Sequence, residues 1–227
     1  MAAAATNPSD RELTPPRDAA IAGVISGILF IFSLTLANLI IPQGVGNAPA
    51  WIKDNTRVVY LALNLVPFAG IFFLWFMGVA RDRLGSHEDK FFATIFMGTG
   101  FLYLGITFVA TAFAFGLIAA YTQDSSIVTS ATYSVGIVVI DNLTFVFGSR
   151  MAAVFMIASA TLWLRTKVMP RWLALLTYLL ALVLLFVISV SSWIILIFPS
   201  WMLLVSLILL IADVRRRPVE EAKQAGL

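Results

Sequence analysis

The sequence predicts an all-α fold, a polytopic transmembrane helical bundle of six spans with its N-terminus and C-terminus in the cytoplasm. Three observations lead there. The 227 residues are 60% hydrophobic and only 12% charged, whereas soluble domains run at about half apolar and a quarter charged. The apolar residues fall into six uncharged or nearly uncharged runs, each approaching or exceeding the ~20 residues that cross a ~30 Å hydrocarbon core. Twelve of the fifteen Lys and Arg residues then fall on one side of the implied membrane.

The spans are expected at about 19–41, 58–80, 91–121, 145–164, 172–188 and 193–212, forming one domain over 19–213. Residues 1–18 carry Asp10, Glu12, Pro15 and Pro16 and read as a polar N-terminal tail. Ala48-Pro49-Ala50 has the small-x-small pattern of a signal-peptidase site. The apolar run before it exceeds the 7–15 residues of a signal core, so an uncleaved first span is expected. With the N-terminus inside, the inner segments hold Arg11 and Arg17; Arg81, Arg83 and Lys90; Arg165, Lys167 and Arg171; and the basic C-terminal tail 214–227 with Arg215, Arg216, Arg217 and Lys223. The outer segments hold only Lys53 and Arg57, and Arg150 is embedded. Lys and Arg favour the cytoplasmic side, and this asymmetry sets the orientation.

Aromatic residues mark the edges. Trp75, Trp163 and Trp172 fall near inner ends, and Trp51, Tyr60, Tyr121 and Trp193 near outer ends, as interfacial belts do. Gly23 and Gly27 form a G-x-x-x-G, and Gly148 with Ala152 repeats the small-residue spacing. Such pairs bring helices close, either within one chain or between copies. Pro67 and Pro199 are the two prolines within spans. Residues 122–144 form the longest outer segment, readable as a lid or as an extension of span four.

The densest polar segment is RDRLGSHEDK at 81–90, which holds the sole histidine, His87. It reads chiefly as a cytoplasmic turn kept in water by its charges. Gly78-x-x-x-Asp82-Arg83-x-Gly85 resembles the front half of the loop signature of the major facilitator superfamily, although Ser86-His87 stands where a basic pair should follow. The longer run FLWFMGVARDRLGSHEDKFFATIFMGTGFLYLGITFVATAFA, with PRWLALLTYLLALVLL at 170–185, resembles small bacterial six-span integral membrane proteins of unknown function. That resemblance implies a multi-pass protein of the bacterial inner membrane. It implies no activity and no role for Asp82, Arg83 or Gly85.

Embedded polar residues supply the candidate site. Arg150 lies 14 residues before Leu164, about 21 Å along a helix and so some ~9 Å beneath the outer edge of the core. Asp141, nine residues earlier, is placed just outside the core and on the opposite face of a straight helix. Asn38 and Asn64 sit at matching depth in spans one and two, and Ser200 in the outer third of span six. Pro67 and Pro199 have no N–H for the carbonyls of Leu63 and Ile195. An outward-facing polar pocket formed by Arg150, Asn38, Asn64, Ser200 and Asp141 is therefore one expectation, for a small solute or a lipid headgroup. Snorkelling of Arg150 to lipid phosphate is the other.

Enzymatic chemistry leaves little trace. Without cysteine there are no thiolate nucleophiles or thiolate metal sites, and with one histidine no paired-imidazole site. The two acidic residues flanking the last three spans, Asp141 and Asp213, belong at opposite membrane faces, so no acid–base pair converges. No catalytic residue, cofactor, metal or nucleic-acid partner is expected. The expected function is non-enzymatic, through packing, partner binding or lipid binding, with a carrier as the alternative. Expected partners are the bilayer, anionic lipid at the inner face, and a second copy or another membrane protein.

Overall fold

The computed structural model describes the backbone of residues 16–40, 48–82, 90–166, 169–186 and 191–224. Among the described residues every regular element is helical: α1 (Pro16–Ile40), α2 (Ala48–Asp82), α3 (Lys90–Gln123), α4 (Ala131–Asp141), α5 (Ser149–Thr166), α6 (Arg171–Phe186) and α7 (Ile197–Gln224). Short 3-10 turns at Ser125–Thr129 and Ser192–Leu196 precede α4 and α7. Five helical segments are long and apolar enough to cross a membrane, Ala20–Asn38, Thr56–Arg81, Phe91–Gln123, Ala131–Thr166 and Ser192–Ile211, while Arg171–Phe186 is apolar but shorter. At 1.5 Å per residue the 16 residues of α6 reach about 24 Å.

Residues 122–144 extend the neighbouring helices. Asp124 and Ser130 cap a tight turn, the first accepting from the Ser126 N–H at 2.8 Å and the second from the Tyr133 N–H at 3.2 Å. Their short oxygen-bearing side chains satisfy N–H groups that a helix start leaves open. From Ala131 the chain runs through α4, a π-helical segment at Asn142–Gly148 and α5 without a break. The apolar run expected at 145–164 is thus the second half of one of 36 residues. Arg150 lies near the middle of that run. The basic tail expected from 214 continues α7 as helix to Gln224.

Small residues set the close contacts. A Cβ on Gly27 would lie 2.9 Å from the Leu203 Cβ, and one on Gly23 would meet the Ser206 hydroxyl. The G-x-x-x-G therefore seats α1 against α7 within the chain. Seven residues apart on another face of α1, the Ser26 hydroxyl donates to the Ala69 carbonyl at 2.8 Å and the Ser33 hydroxyl to that of Ala62 at 2.6 Å. These bonds fasten α1 antiparallel to α2. The alanine-rich α5 is buried over most of its circumference, as suits a helix at the centre of a bundle.

Aromatic rings fill the middle. Phe73 of α2, Phe96 and Tyr103 of α3, Phe155 of α5 and Phe198 and Trp201 of α7 form one contiguous cluster, with ring centroids 4.5 Å apart for Phe96–Phe155 and 4.6 Å for Tyr103–Phe198. The Trp201 indole N–H donates to the buried Thr177 hydroxyl of α6 at 2.9 Å, and Thr161 of α5 shares a 2.7 Å hydrogen bond with Tyr178. Near the far end, the Arg165 guanidinium stands 4.8 Å over the Phe92 ring, a contact favoured by the ring quadrupole. Pro199 falls in the first turn of α7, where a missing N–H is tolerated, whereas Pro67 is inside α2.

Candidate functional site

Above the aromatic cluster, toward the α3–α4 connection, the helices frame a partly open cavity of about 170 Å³. That compares with roughly 150 Å³ for a dry core cavity that accommodates benzene. Tyr103 and Phe198 form its floor, and its walls come from α1, α2, α3, the α4–α5 helix and the Ser192–Leu196 turn. The space exists because α3 presents Ala110 and Ala114 there while α5 presents Ala152 and the π segment presents Gly148. Leu63, Val66, Leu117, Ile118 and Ile140 keep most of the wall apolar.

The π segment shapes one side. The Ser149 N–H and hydroxyl both donate to the Thr144 carbonyl, five residues back, the hydroxyl at 3.3 Å. The carbonyl oxygen of Leu143 approaches Gly148 so closely that a Cβ there would stand 3.1 Å from it. Thr144, Phe145, Gly148 and Ser149 all line the cavity. Single π-helical turns within α-helices are often found at functional sites.

Of the five residues expected to form a pocket, two lie on the cavity, Asn38 and Asp141. Asn38 donates from Nδ2 to the Ser192 carbonyl at 3.0 Å, holding α1 to the turn before α7. Asp141 stands at the rim with its side chain exposed. Asn64 is exposed on the outer surface of α2, donating to the Tyr60 carbonyl at 2.7 Å. Ser200 is exposed on α7, where Phe198, Trp201 and Met202 face inward.

Arg150 is half-buried and off the cavity wall, its guanidinium bent back one turn to donate to the Val146 carbonyl at 3.1 Å. One residue along from Ser149, it is rotated by about 100° from the face that carries the wall. The helix between Asp141 and Arg150 contains the π segment, so a straight-helix projection does not relate them. The loop residues Arg83 and Gly85 lie outside the described residues, and of Asp82 only the backbone is described, as the last residue of α2. Among the described residues no group of three or more His, Cys, Asp or Glu gathers as a metal site.

Sequence reasoning passed over Ser33, Tyr103, Thr107, Thr111, Tyr133 and Ser149, which supply most of the cavity's other polar atoms. A signal for three of them was present. Tyr103, Thr107 and Thr111 recur every four residues along an otherwise apolar span, which places them on one face of the helix.

The described residues thus define a helical bundle of the multi-pass membrane class, holding an internal, mostly apolar cavity. Compared with protein-family models, with curated proteins and with solved structures, the chain matches none.

Proposed function

We propose that this is a non-enzymatic integral membrane protein of the bacterial inner membrane that takes a small lipid-soluble molecule from the bilayer into its cavity. The observation that carries the proposal is the combination of about 170 Å³ of internal space, an apolar wall and a thin polar rim. Ligand sites have this character, concave and mostly apolar with a few placed polar groups. The lining includes one carboxylate and no histidine, lysine or arginine, so it offers no converging acid–base pair.

The proposal includes six spans, the sequence after α6 remaining apolar at Val187 and Ile188. Both termini are placed in the cytoplasm, on the strength of the twelve inner cations. The cavity then opens in the outer half of the membrane. The inner cations attract anionic lipid, at ~1 kcal/mol each near the surface. Native mass spectrometry from nanodiscs tests the reading, comparing wild type with Ala114→Phe and Ala37→Phe, which fill the cavity from different helices. A small adduct on wild type that both variants lose supports it. Identical adducts on all three proteins refute it.

A further inference from the structure

The cavity is long for its volume. Along α3 its lining includes Tyr103, Thr107, Ala110, Ala114 and Ile118, spaced three or four residues apart and so on one face of the helix. From Tyr103 to Ile118 the chain advances fifteen residues, about four turns and about 22 Å of helix. Across from them, Tyr133, Ile137, Ile140, Thr144, Gly148 and Ala152 line it from the α4–α5 helix at the same spacing.

The two helices run antiparallel past each other over this whole length. A Cβ on Gly136 would meet the Leu117 side chain at 2.8 Å, one on Gly148 would lie 3.7 Å from Cγ2 of Ile106, and one on Gly100 would lie 3.1 Å from the Phe155 ring. The seam beside the cavity therefore keeps one register from end to end. About 170 Å³, little more than the roughly 150 Å³ that holds one benzene ring, is drawn out along about four helical turns. A space of that volume and length is narrow throughout. It has the proportions of one hydrocarbon chain lying along the helices and lacks the width for a fused ring system.

An alkyl chain also leaves the walls satisfied. The hydroxyls of Ser33, Thr107 and Thr111 already donate to the carbonyls of Ala62, Tyr103 and Thr107 at 2.6, 2.7 and 2.8 Å, so hydrocarbon laid against them strands no proton. The one carboxylate of the lining, Asp141, is exposed at the rim.

We infer that the ligand class is a single unbranched alkyl chain, held extended between α3 and the α4–α5 helix, with one end over Tyr103 and Phe198 and the other beside Ile118 and Tyr133. This rests on the cavity being a ligand site, as proposed above, and names the class by its shape. Selection comes from width. The surrounding lipid is as apolar as the wall, so hydrophobicity alone would not draw a molecule out of it.

The test gives the full-length protein, in nanodiscs of zwitterionic lipid, 1-decanol or 1-adamantanol at equal concentration in the bilayer. The two alcohols have the same number of carbons and one hydroxyl each, and differ in shape. Native mass spectrometry should show decanol occupancy about tenfold or more above that of adamantanol, the scale on which apolar pockets discriminate by fit. Photolabelling then maps the chain. A decanol with a diazirine beside its hydroxyl and one with a diazirine beside its terminal methyl should label opposite ends of the slot, around Tyr103 and Phe198 and around Ile118 and Tyr133. Ala110→Phe, which plugs the slot halfway along α3, should abolish labelling at the Tyr103 end and keep it at the other, which also shows that the variant is folded. Without added alcohol, a phospholipid retained by wild type and lost from Ala110→Phe assigns the chain to a lipid tail, and decanol uptake by protein free of retained lipid assigns it to a free alkyl molecule; either source satisfies the inference. If adamantanol binds wild type as well as decanol does, the cavity stays a ligand site and the inference about shape is overturned. Labelling of the same end by both diazirines overturns it equally, because the chain then does not lie along the slot. If neither alcohol binds wild type, the reading of the cavity as a ligand site fails and the inference with it.

Discussion

Replacing Gly27 by alanine adds one methyl group where α1 crosses α7, and the structure sets the size of the effect. The new Cβ would stand 2.9 Å from the Leu203 Cβ and 3.2 Å from both the Cα and the backbone nitrogen of Leu203. Carbon contacts are most favourable near 3.5–4.0 Å. The backbone of α7 cannot rotate out of the way as a side chain would, so the helices must part locally by roughly 0.5–1 Å. Overpacking of this kind costs about 1–3 kcal/mol, offset by about 0.5–1 kcal/mol because alanine is the better helix former. A net loss of about 0.5–2 kcal/mol is expected.

Gly105→Ala is the matched control. The same methyl group at Gly105 meets nothing within 4 Å, so only the propensity gain remains. Reversible unfolding in mixed micelles, followed by tryptophan emission, should place Gly27→Ala below wild type and Gly105→Ala level with it or above. Equal stabilities for the two variants would refute the claim that the α1–α7 approach depends on this glycine. Because α1 carries Ser33 and Asn38 into the cavity wall, Gly27→Ala should also lower adduct occupancy.

Thr177→Val removes the acceptor of the buried Trp201 indole N–H, and should cost about 0.6–2 kcal/mol in the same unfolding measurement, between the averages for membrane and soluble proteins. Thr177→Ser, which retains the oxygen, should recover most of the loss. Arg150→Leu should leave adduct occupancy unchanged, since the guanidinium turns to Val146 and not to the cavity; a lost adduct would place the ligand on the other face of α5. At the turn between α3 and α4, hydrogen bonds from the Ser126 side chain and backbone hold the Asp124 carboxyl below its ordinary range. A depressed carboxyl stabilises the turn above its unfolded pKa and loses that contribution as pH falls through the folded value. Carboxyl carbon shifts followed by NMR should therefore show Asp124 titrating below a free aspartate, and Ser126→Ala should move the midpoint upward.

Much of the architecture was legible because crossing a membrane constrains length and composition directly. The apolar runs predicted where the helices form, and the spacing of Gly23 and Gly27 predicted a close approach, which the structure assigns to α7. Position along a helix could likewise be counted for Asn38, Asn64, Arg150 and Ser200. The face each residue occupies could not. In a soluble helix the apolar stripe marks the core, but a lipid-facing surface is as apolar as the interior. Phe68, Trp75 and Leu175 on the outside are no less hydrophobic than the buried Phe73, Trp201 and Leu173.

Rotation about the helix axis decided the site. Asn64 lies one residue beyond the wall-forming Leu63 and faces out, and Arg150 lies one residue beyond Ser149 and turns to Val146. The π segment at Asn142–Gly148 alters the register between α4 and α5, and no residue pattern announces it. By itself, the sequence determined the helical class, the approximate limits of the helices and the uneven distribution of charge, because each depends on local composition against a solvent of known thickness. The tertiary structure alone decided which polar atoms share one cavity, because that depends on how each helix is rotated about its axis.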